Sequence, residues 1–302
     1  MTRVSVCVPT YNGERFIEKA LRSILCQTNS DFELIISDDA STDDTLKIIK
    51  EIHDPRMQIS VNSKRLGLVG NWNRCLELAS GEYITIFHQD DLMRRGNLAA
   101  KINMLDENPG VGFVYSNIEI IDTDGIITGG HWLPQLQVNT IESGLACFER
   151  LALVGNFISC PTVMVRAHCY KELGGYDPRL PFTCDMEMWM RIASRYDVGY
   201  LVAPLIANRV HASQETQRFN GRGQEIREVR RALDIAFAEF APEGVSGALK
   251  RAAHRNLVAW AYRMGRWRLS QHQWRAALGY LWMGTETVLM ALAGDNSPSA
   301  TV

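Results

Sequence analysis

Apolar runs and helix-spaced apolar positions alternate along the first third of the chain. Residues 4–8, 33–37, 57–61 and 83–87 are short stretches rich in Val, Ile, Tyr and Phe, the composition of buried strands. Between them, Phe16, Ile17, Ala20, Leu21, Ile24 and Leu25 recur at helical spacing after a break at Pro9-Thr10-Tyr11-Asn12-Gly13. Ser41 and Asp44 have the spacing of a capping box that opens a helix over 42–52. That reading leaves Asp38 and Asp39 without a structural task. A further helix over 69–79 ends at Ser80-Gly81, and one over 98–105 stops at Asn108-Pro109-Gly110. Strand–helix alternation of this kind predicts an α/β fold, a mostly parallel Rossmann-like sheet flanked by helices.

The pattern changes after residue 113. A strand over 113–122 is expected to turn at Thr123-Asp124-Gly125 into a hairpin with Ile126-Ile127. Residues 129–140, with Trp132 and Pro134, are irregular, and 162–166 reads as a strand. A helix is expected at or just after Asp185, with Met186, Trp189, Met190 and Ala193 on one apolar stripe. Two late strands, 198–202 and 206–210, precede His211, and from about Gln224 the chain reads as helix throughout. The expected division is a catalytic unit over 1–218, with halves at about 1–122 and 123–218, and a helical C-terminal region over 219–302.

Composition narrows the class. The 302 residues are 46% hydrophobic and 22% charged, with a formal net charge of −2, so nothing global points to nucleic acid as a partner. Seven scattered cysteines without C-x-x-C spacing read as reduced thiols, and the start lacks a charged-then-apolar leader, so a cytoplasmic protein is expected. No apolar run reaches the ~20 residues needed to span a bilayer. One asymmetry stands out: every charged side chain from Lys250 to Arg275 is basic. Beside that run Leu278, Leu281, Trp282, Leu289 and Leu292 form an apolar stripe. It is expected to pack on the catalytic unit, the alternative being a peripheral contact with anionic lipid.

Candidate chemistry gathers at strand ends. Strand 83–87 runs into His88-Gln89-Asp90-Asp91, Asp38-Asp39 end another strand, and Asp185 opens a helix. In a doubly wound sheet the carboxyl ends of the strands face one crevice. Adjacent carboxylates there either hold a hard divalent ion with phosphate oxygens or form a solvated acidic turn. Tyr11, in the loop after the first strand, could stack on a base while a carboxylate accepts its ring N–H. No G-x-G-x-x-G or G-x-x-x-x-G-K-[ST] loop is present, so the phosphates must be held by metal. Plain structural roles compete at each position: an N-cap for Asp185, a hydrogen-bonded loop histidine for His211, core packing for Trp72, Trp132 and Trp189.

The segments VSVCVPTYNGERFIEKALRSILCQT, FELIISDDASTDDT, LASGEYITIFHQDD and CDMEMWMRIA occur in this order. On them the chain resembles family-2 glycosyltransferases, inverting nucleotide-sugar enzymes of the GT-A fold, over roughly residues 4–211. The resemblance implies that Tyr11 and Asp39 contact the nucleobase, with Pro9 and Thr10 lining the same loop. It implies that Asp90 is the metal-binding Asp of the D-x-D element, with Asp91 directly after it, and that Asp185 is the catalytic base. It implies that His211 approaches the metal or the donor phosphates. The cofactor it implies is Mn²⁺ or Mg²⁺. The donor it implies is a nucleotide-diphosphate sugar, a UDP-sugar above all, and the acceptor a glycan or lipid-linked hydroxyl in cell-surface polysaccharide or lipid-linked glycan assembly.

Two positions depart from that pattern. His88 stands where many members carry the first Asp of D-x-D, and Cys184 replaces the Glu before the base. A helix N-terminus at Asp185 is expected to keep it ionised and lower its basicity. The competing readings are a sugar nucleotidyltransferase, which PTYNGERF does not suit for want of a triphosphate loop, and a sugar-nucleotide-binding protein without activity.

Overall fold

The structure, a computed structural model, describes residues 2–130, 136–214 and 223–294, the last four of these by backbone alone. Trp132, Pro134 and the expected boundary at residue 218 lie outside the described residues.

The apolar runs become strands because both of their faces are covered. β1 (Val4–Thr10), β2 (Phe32–Asp38), β3 (Met57–Val61) and β4 (Tyr83–Ile86) run parallel in the order β3-β2-β1-β4. β1, β2 and β4 are almost wholly buried, which is why they read as near-continuous apolar runs rather than alternating ones. α1 (Ile17–Leu25) sets Ile17, Ala20, Leu21 and Ile24 against them, α2 (Thr45–Lys50) adds Ile49, and α3 (Gly67–Leu78) places Val69, Trp72 and Cys75 inside.

The second half of the sheet is mixed. β5 (Leu92–Met93) follows the acidic tetrad and pairs antiparallel with β10 (Asp197–Arg209). α4 (Asn97–Glu107) leads to the long β6 (Val111–Ile121), which lies parallel to β10 and hairpins into β7 (Ile127–Gly129) as expected. β9 (Met164–Arg166) fills the gap between β4 and β6, antiparallel to both. The two late strands expected from the sequence are one strand, β10, whose register shifts around Pro204. Proline lacks an N–H for the ladder, so the interruption falls there.

β5 went unseen in the sequence, as did β8 (Thr140–Glu142), α5 (Gly144–Val154) and α6 (Ala167–Leu173). α5 and α7 (Cys184–Ala193) pack on one another and share a core with β6 and β10, and Trp189 is fully buried within it. The final helices are α8 (Gln224–Glu239), α9 (Gly247–Ser270) and α10 (Trp274–Gly294). Ile226, Ala232, Leu233 and Ala236 of α8 enter the same core as Met186 and Trp189 of α7, and Ala253, Leu257 and Ala261 of α9 join them.

The apolar stripe on α10 does not pack inward as expected. Leu281 sits over Gly265 of α9, but Leu278, Trp282 and Leu289 are exposed, while the side chain of Leu292 lies outside the described residues. The inward face of α10 is instead built from Ala277, Tyr280, Gly284 and Thr287. Ala277 and Gly284 there let the two helices approach closely, while Leu278, Trp282 and Leu289 are left on the outside. Among the described residues no helix is long and apolar enough to cross a membrane.

Candidate active site

The site grows from the carboxyl ends of β1, β2 and β4. The loop after β1 and the loop after β2 are knitted together by side chains. Asn12 N–H donates to Ser41 Oγ (3.0 Å), Thr42 N–H donates to Asn12 Oδ1 (2.9 Å), and Gly13 N–H donates to Thr45 Oγ1 (2.8 Å). Asn12 and Ala40 both sit at positive φ, 47° and 59°. For alanine this costs of order 1 kcal/mol or more and persists only because the surrounding bonds hold it.

The capping box expected at Ser41 and Asp44 does not form. α2 starts at Thr45, Asp44 makes no side-chain cap bond, and Ser41 is taken by Asp38 instead. Asp38 accepts the Ser41 N–H (2.9 Å) and hydroxyl (2.6 Å), so it has the structural task the sequence did not suggest. Asp39 has one as well. Its Oδ1 accepts from Leu66 N–H (2.7 Å) and Asn62 Nδ2 (3.0 Å), and its Oδ2 from Gly67 N–H (2.8 Å), at the amino end of α3. A carboxylate has about four acceptor sites, so Oδ2 keeps one free.

Tyr11 is fixed by its backbone. The Gln89 amide accepts the Tyr11 N–H (3.0 Å) and donates to the Tyr11 carbonyl (3.0 Å), pairing with it as a neighbouring strand would. One side chain of the acidic tetrad therefore locks the Tyr11 loop to the end of β4. The Arg65 guanidinium lies 4.0 Å from the centre of the Tyr11 ring, covering one face by a cation–π contact. A base would stack on the opposite face or displace Arg65. Pro9 and Thr10 belong to the end of β1, and the Thr10 carbonyl accepts the Asp39 N–H (2.8 Å).

Within the tetrad the two carboxylates differ. His211 Nε2 is 2.9 Å from Asp90 Oδ2, with His211 Nδ1 held by Ser213 Oγ at 2.8 Å. Burial pushes the Asp90 carboxyl up, but the bond from His211 and the charges of His88 and His211 together hold the group below its ordinary value. Asp91 is fully buried and works for the fold: Oδ1 accepts Arg209 N–H (2.8 Å) and Asn208 Nδ2 (3.1 Å), tying the tetrad to β10. Burial first, then the charge of Asp90, push Asp91 well above the usual carboxylate range. His88 packs against Trp72 (5.7 Å between ring centres), and burial pushes its imidazole down, toward the neutral form.

The donor chemistry here fits a divalent ion. His88, Asp90 and Asp91 offer ligand atoms within 4.8 Å of one another, and His88 Nε2 is buried without a hydrogen-bond partner among the described residues. His211 adds a second imidazole at Asp90. Trp72 is a wall of this region, packed on His88 and on Tyr176 (5.0 Å between ring centres).

Asp185 is the second residue of α7, after the N-cap Thr183 and Cys184, so it does not cap the helix. Its Oδ1 accepts the Met186 N–H (2.7 Å) and its Oδ2 accepts from Asn156 Nδ2 (2.9 Å). The expectation that the helix terminus would lower its basicity is overturned: burial dominates and raises the carboxyl to about 6. Burial pushes the Cys160 thiol well up, and the negative charges of Asp185 and Asp91 push it further, so both carboxyl groups are within electrostatic reach of the short helix Cys160–Thr162. Sequence reasoning missed Gln89 and Asn156. A side-chain amide that bonds a group far along the chain leaves no periodic or local signal.

A mixed sheet flanked by helices, whose parallel strand ends hold an aromatic loop and an Asp/His cluster, has the architecture of the GT-A fold. Residues 5–167 match the family described as glycosyl transferase family 2, and the chain belongs to that family. The chain is 35% identical over 239 residues to the UDP-Glc:alpha-D-GlcNAc-diphosphoundecaprenol beta-1,3-glucosyltransferase WfgD of Escherichia coli, covering 77% of this chain and 84% of that protein. It is 30% identical over 258 residues to the uncharacterized protein MT1568 of Mycobacterium tuberculosis, covering 81% and 79%. Among solved structures it resembles S. aureus TarS 1-349 in complex with UDP-GlcNAc, with a TM-score of 0.66 at 19% identity over 93% of this chain and 81% of that one. It also resembles the mannosyltransferase PcManGT from Pyrobaculum calidifontis in complex with GDP-Man and Mn²⁺, at a TM-score of 0.60 and 20% identity over 99% and 77%. These two share the fold.

Proposed function

We propose that this glycosyltransferase moves a sugar, with inversion, from a UDP-sugar to a hydroxyl of a lipid-linked glycan at the inner face of the membrane. The observation that carries this reading is the Gln89 clamp, which puts the Tyr11 loop and Asp90 on one edge of the sheet. A relative 35% identical is named for transfer from UDP-Glc to an undecaprenol-linked sugar, which supports this donor and acceptor class. In this reading residues 1–218 form the catalytic unit and 219–302 a helical region beside it.

Tyr11 stacks on the uracil, and the free acceptor site of Asp39 Oδ2 takes its ring N–H, with Pro9, Thr10 and His88 lining the nucleotide site. Asp90 and His211 hold the divalent ion, with Asp91 and His88 at its rim. The mixed carboxylate–imidazole set favours Mn²⁺ over Mg²⁺, which prefers oxygen alone. When bound, the ion supplies positive charge against the departing diphosphate. Asp185 accepts the proton of the attacking hydroxyl. A carboxyl at about 6 is ionised at pH 7 yet more basic than an ordinary one, which suits a general base. Asn156 orients it through Oδ2. The attack on the face opposite the leaving group passes through an oxocarbenium-like state.

The test is release of UDP from UDP-glucose with a GlcNAc-diphosphate-lipid acceptor, together with UDP affinity by calorimetry. Asp185→Asn should leave the UDP dissociation constant within a few-fold and remove turnover. Retained turnover, or no response to any UDP-sugar with Mn²⁺ present, would reject the reading.

A further inference from the structure

The hairpin of α9 and α10 carries a surface that the sugar chemistry does not use. On α10, Trp274, Leu278, Trp282 and Leu289 are 62%, 65%, 66% and 62% exposed. With Thr285 they are spaced 4, 4, 3 and 4 residues apart, so they form one stripe along the outer face of the helix. Apolar side chains of this size rarely stand together in water on a protein that has nothing to cover them.

The neighbouring helix runs a basic stripe alongside. Arg255, Ala259, Tyr262 and Arg266 share one exposed face of α9. The Tyr262 hydroxyl lies 3.1 Å from Thr285 Oγ1, and Thr285 falls between Trp282 and Leu289. That bond places the arginine stripe directly beside the tryptophan–leucine stripe. No acidic residue occurs between Glu243 and Glu286, and Glu286 itself is paired with Arg227 at 3.1 Å. Among the described residues Arg255, Arg263, Arg266 and Arg275 have no carboxylate partner within ion-pair distance, although an exposed arginine usually finds one where acids are near.

We propose that this face is an interfacial surface that docks the enzyme on an anionic phospholipid bilayer. The tryptophans and leucines enter the headgroup–acyl boundary, where amphipathic indole rings are at home, and the arginines meet lipid phosphates. The charge decides the occupant. A second copy of this chain would set the same unpaired arginines against one another, whereas an anionic lipid surface neutralises them. The docking deepens the reading of a membrane-borne acceptor, and sedimentation with vesicles in the absence of any sugar substrate tests it apart from the transfer chemistry.

The full chain is sedimented with phosphatidylcholine vesicles and with vesicles containing phosphatidylglycerol. Binding to the anionic vesicles should exceed binding to the neutral ones at least tenfold and fall steeply with added salt. Two variants separate the contributions: Leu278→Ser with Trp282→Ser and Leu289→Ser, and Arg255→Gln with Arg266→Gln. The arginine variant should lower anionic binding about 25-fold, since each basic side chain near such a surface contributes about fivefold, and the apolar variant should lower it at least tenfold through the loss of buried apolar area. All five positions are exposed, so circular dichroism should report wild-type helix content. Equal binding to both vesicle types, or wild-type binding by the apolar variant, overturns the proposal. So does a wild-type dimer in light scattering that the apolar variant breaks up while vesicle binding is absent, which would assign the face to self-association.

Discussion

His211 Nε2 stands 2.9 Å from Asp90 Oδ2 across 121 residues of chain. The contact joins the loop after β10 to the loop after β4, and Arg209 and Asn208, just before His211, hold Asp91 in the same way. The end of β10 thus brings a second layer of polar groups up to the acidic tetrad. Asp90 and His211 are positioned by one structural unit rather than by two independent loops.

His211→Ala should therefore weaken Mn²⁺ binding in the presence of UDP by roughly 10–100-fold, the range for losing a group that supports or shares a metal site. Asp90→Asn should do more. Calorimetric titration of Mn²⁺ into the UDP-saturated protein measures both. Affinity unchanged by His211→Ala would show that the histidine serves only the loop.

Gln89 provides a second expectation, because it pairs with the Tyr11 backbone through both ends of its amide. Gln89→Ala should raise the donor KM more than it lowers kcat, since the Tyr11 loop, proposed to hold the nucleobase, loses its tether while Asp185, the proposed proton acceptor, does not. Gln89→Glu should be worse than alanine, because it sets a carboxylate oxygen against the Tyr11 carbonyl. Gly13→Ala should act like Gln89→Ala, since a Cβ there collides with the Gln89 amide. Steady-state kinetics with varied UDP-sugar separates KM from kcat. A pure kcat loss would remove Gln89 from the positioning role.

The parallel half of this sheet was legible because buried strands leave unbroken apolar runs, as VSVCV, ELIIS and YITIF do. β5 and β8 were not, since strands of two and three residues exist only by virtue of the partner they pair with. α5 hid for a different reason: its sequence is apolar on most sides and shows no clear stripe. At the site, residue types pointed to Tyr11, Asp39, Asp90 and Asp185 as candidates. The sequence could not show that Asp38 would capture Ser41 before any capping box formed, nor that burial would govern the Asp185 carboxyl more than the helix end. Both outcomes depend on tertiary distances and exclusion of water, which have no local pattern.

Lys101 offers a stability test away from the chemistry. It lies on the inner face of α4, fully buried, and its Nζ has no hydrogen-bond partner among the described residues. Burial pushes its ammonium from 10.5 down to about 7. Between those values the unfolded chain binds a proton that the folded chain does not, so stability should rise as pH goes from 7 to 10.5 and stay level below 7. Lys101→Met keeps the volume and removes the penalty, and should stabilise the protein at pH 7 by several kcal/mol, with ~5 kcal/mol as the ceiling set by 1.36 kcal/mol per unit. Urea denaturation of both proteins at pH 7 and 10 measures it. A destabilised variant at pH 7 would mean the ammonium has a partner.

Asp185 places activity and stability in opposition. Its carboxyl moves from an ordinary 3.8 to about 6 in the fold, chiefly through burial. Between those values the folded protein holds a proton that the unfolded chain has lost, so stability falls as pH rises from 3.8 to 6 and the full penalty persists above 6. The ceiling is ~3 kcal/mol at 1.36 kcal/mol per unit. Asp185→Asn removes the charge but keeps only one acceptor oxygen for Met186 N–H and Asn156 Nδ2, so about 1 kcal/mol of that should be recovered as a higher Tm at pH 8 and none at pH 4. In the proposed mechanism the same group sets the acid limb of the rate: kcat of the wild type should fall tenfold per pH unit below about 6, because a protonated carboxyl cannot accept the hydroxyl proton. Melting curves and a pH–rate profile together decide the matter. A variant that melts lower at pH 8 would mean that Asp185 is not buried at a cost, and a wild-type rate flat from pH 7 down to 4.5 would mean that it is not the proton acceptor.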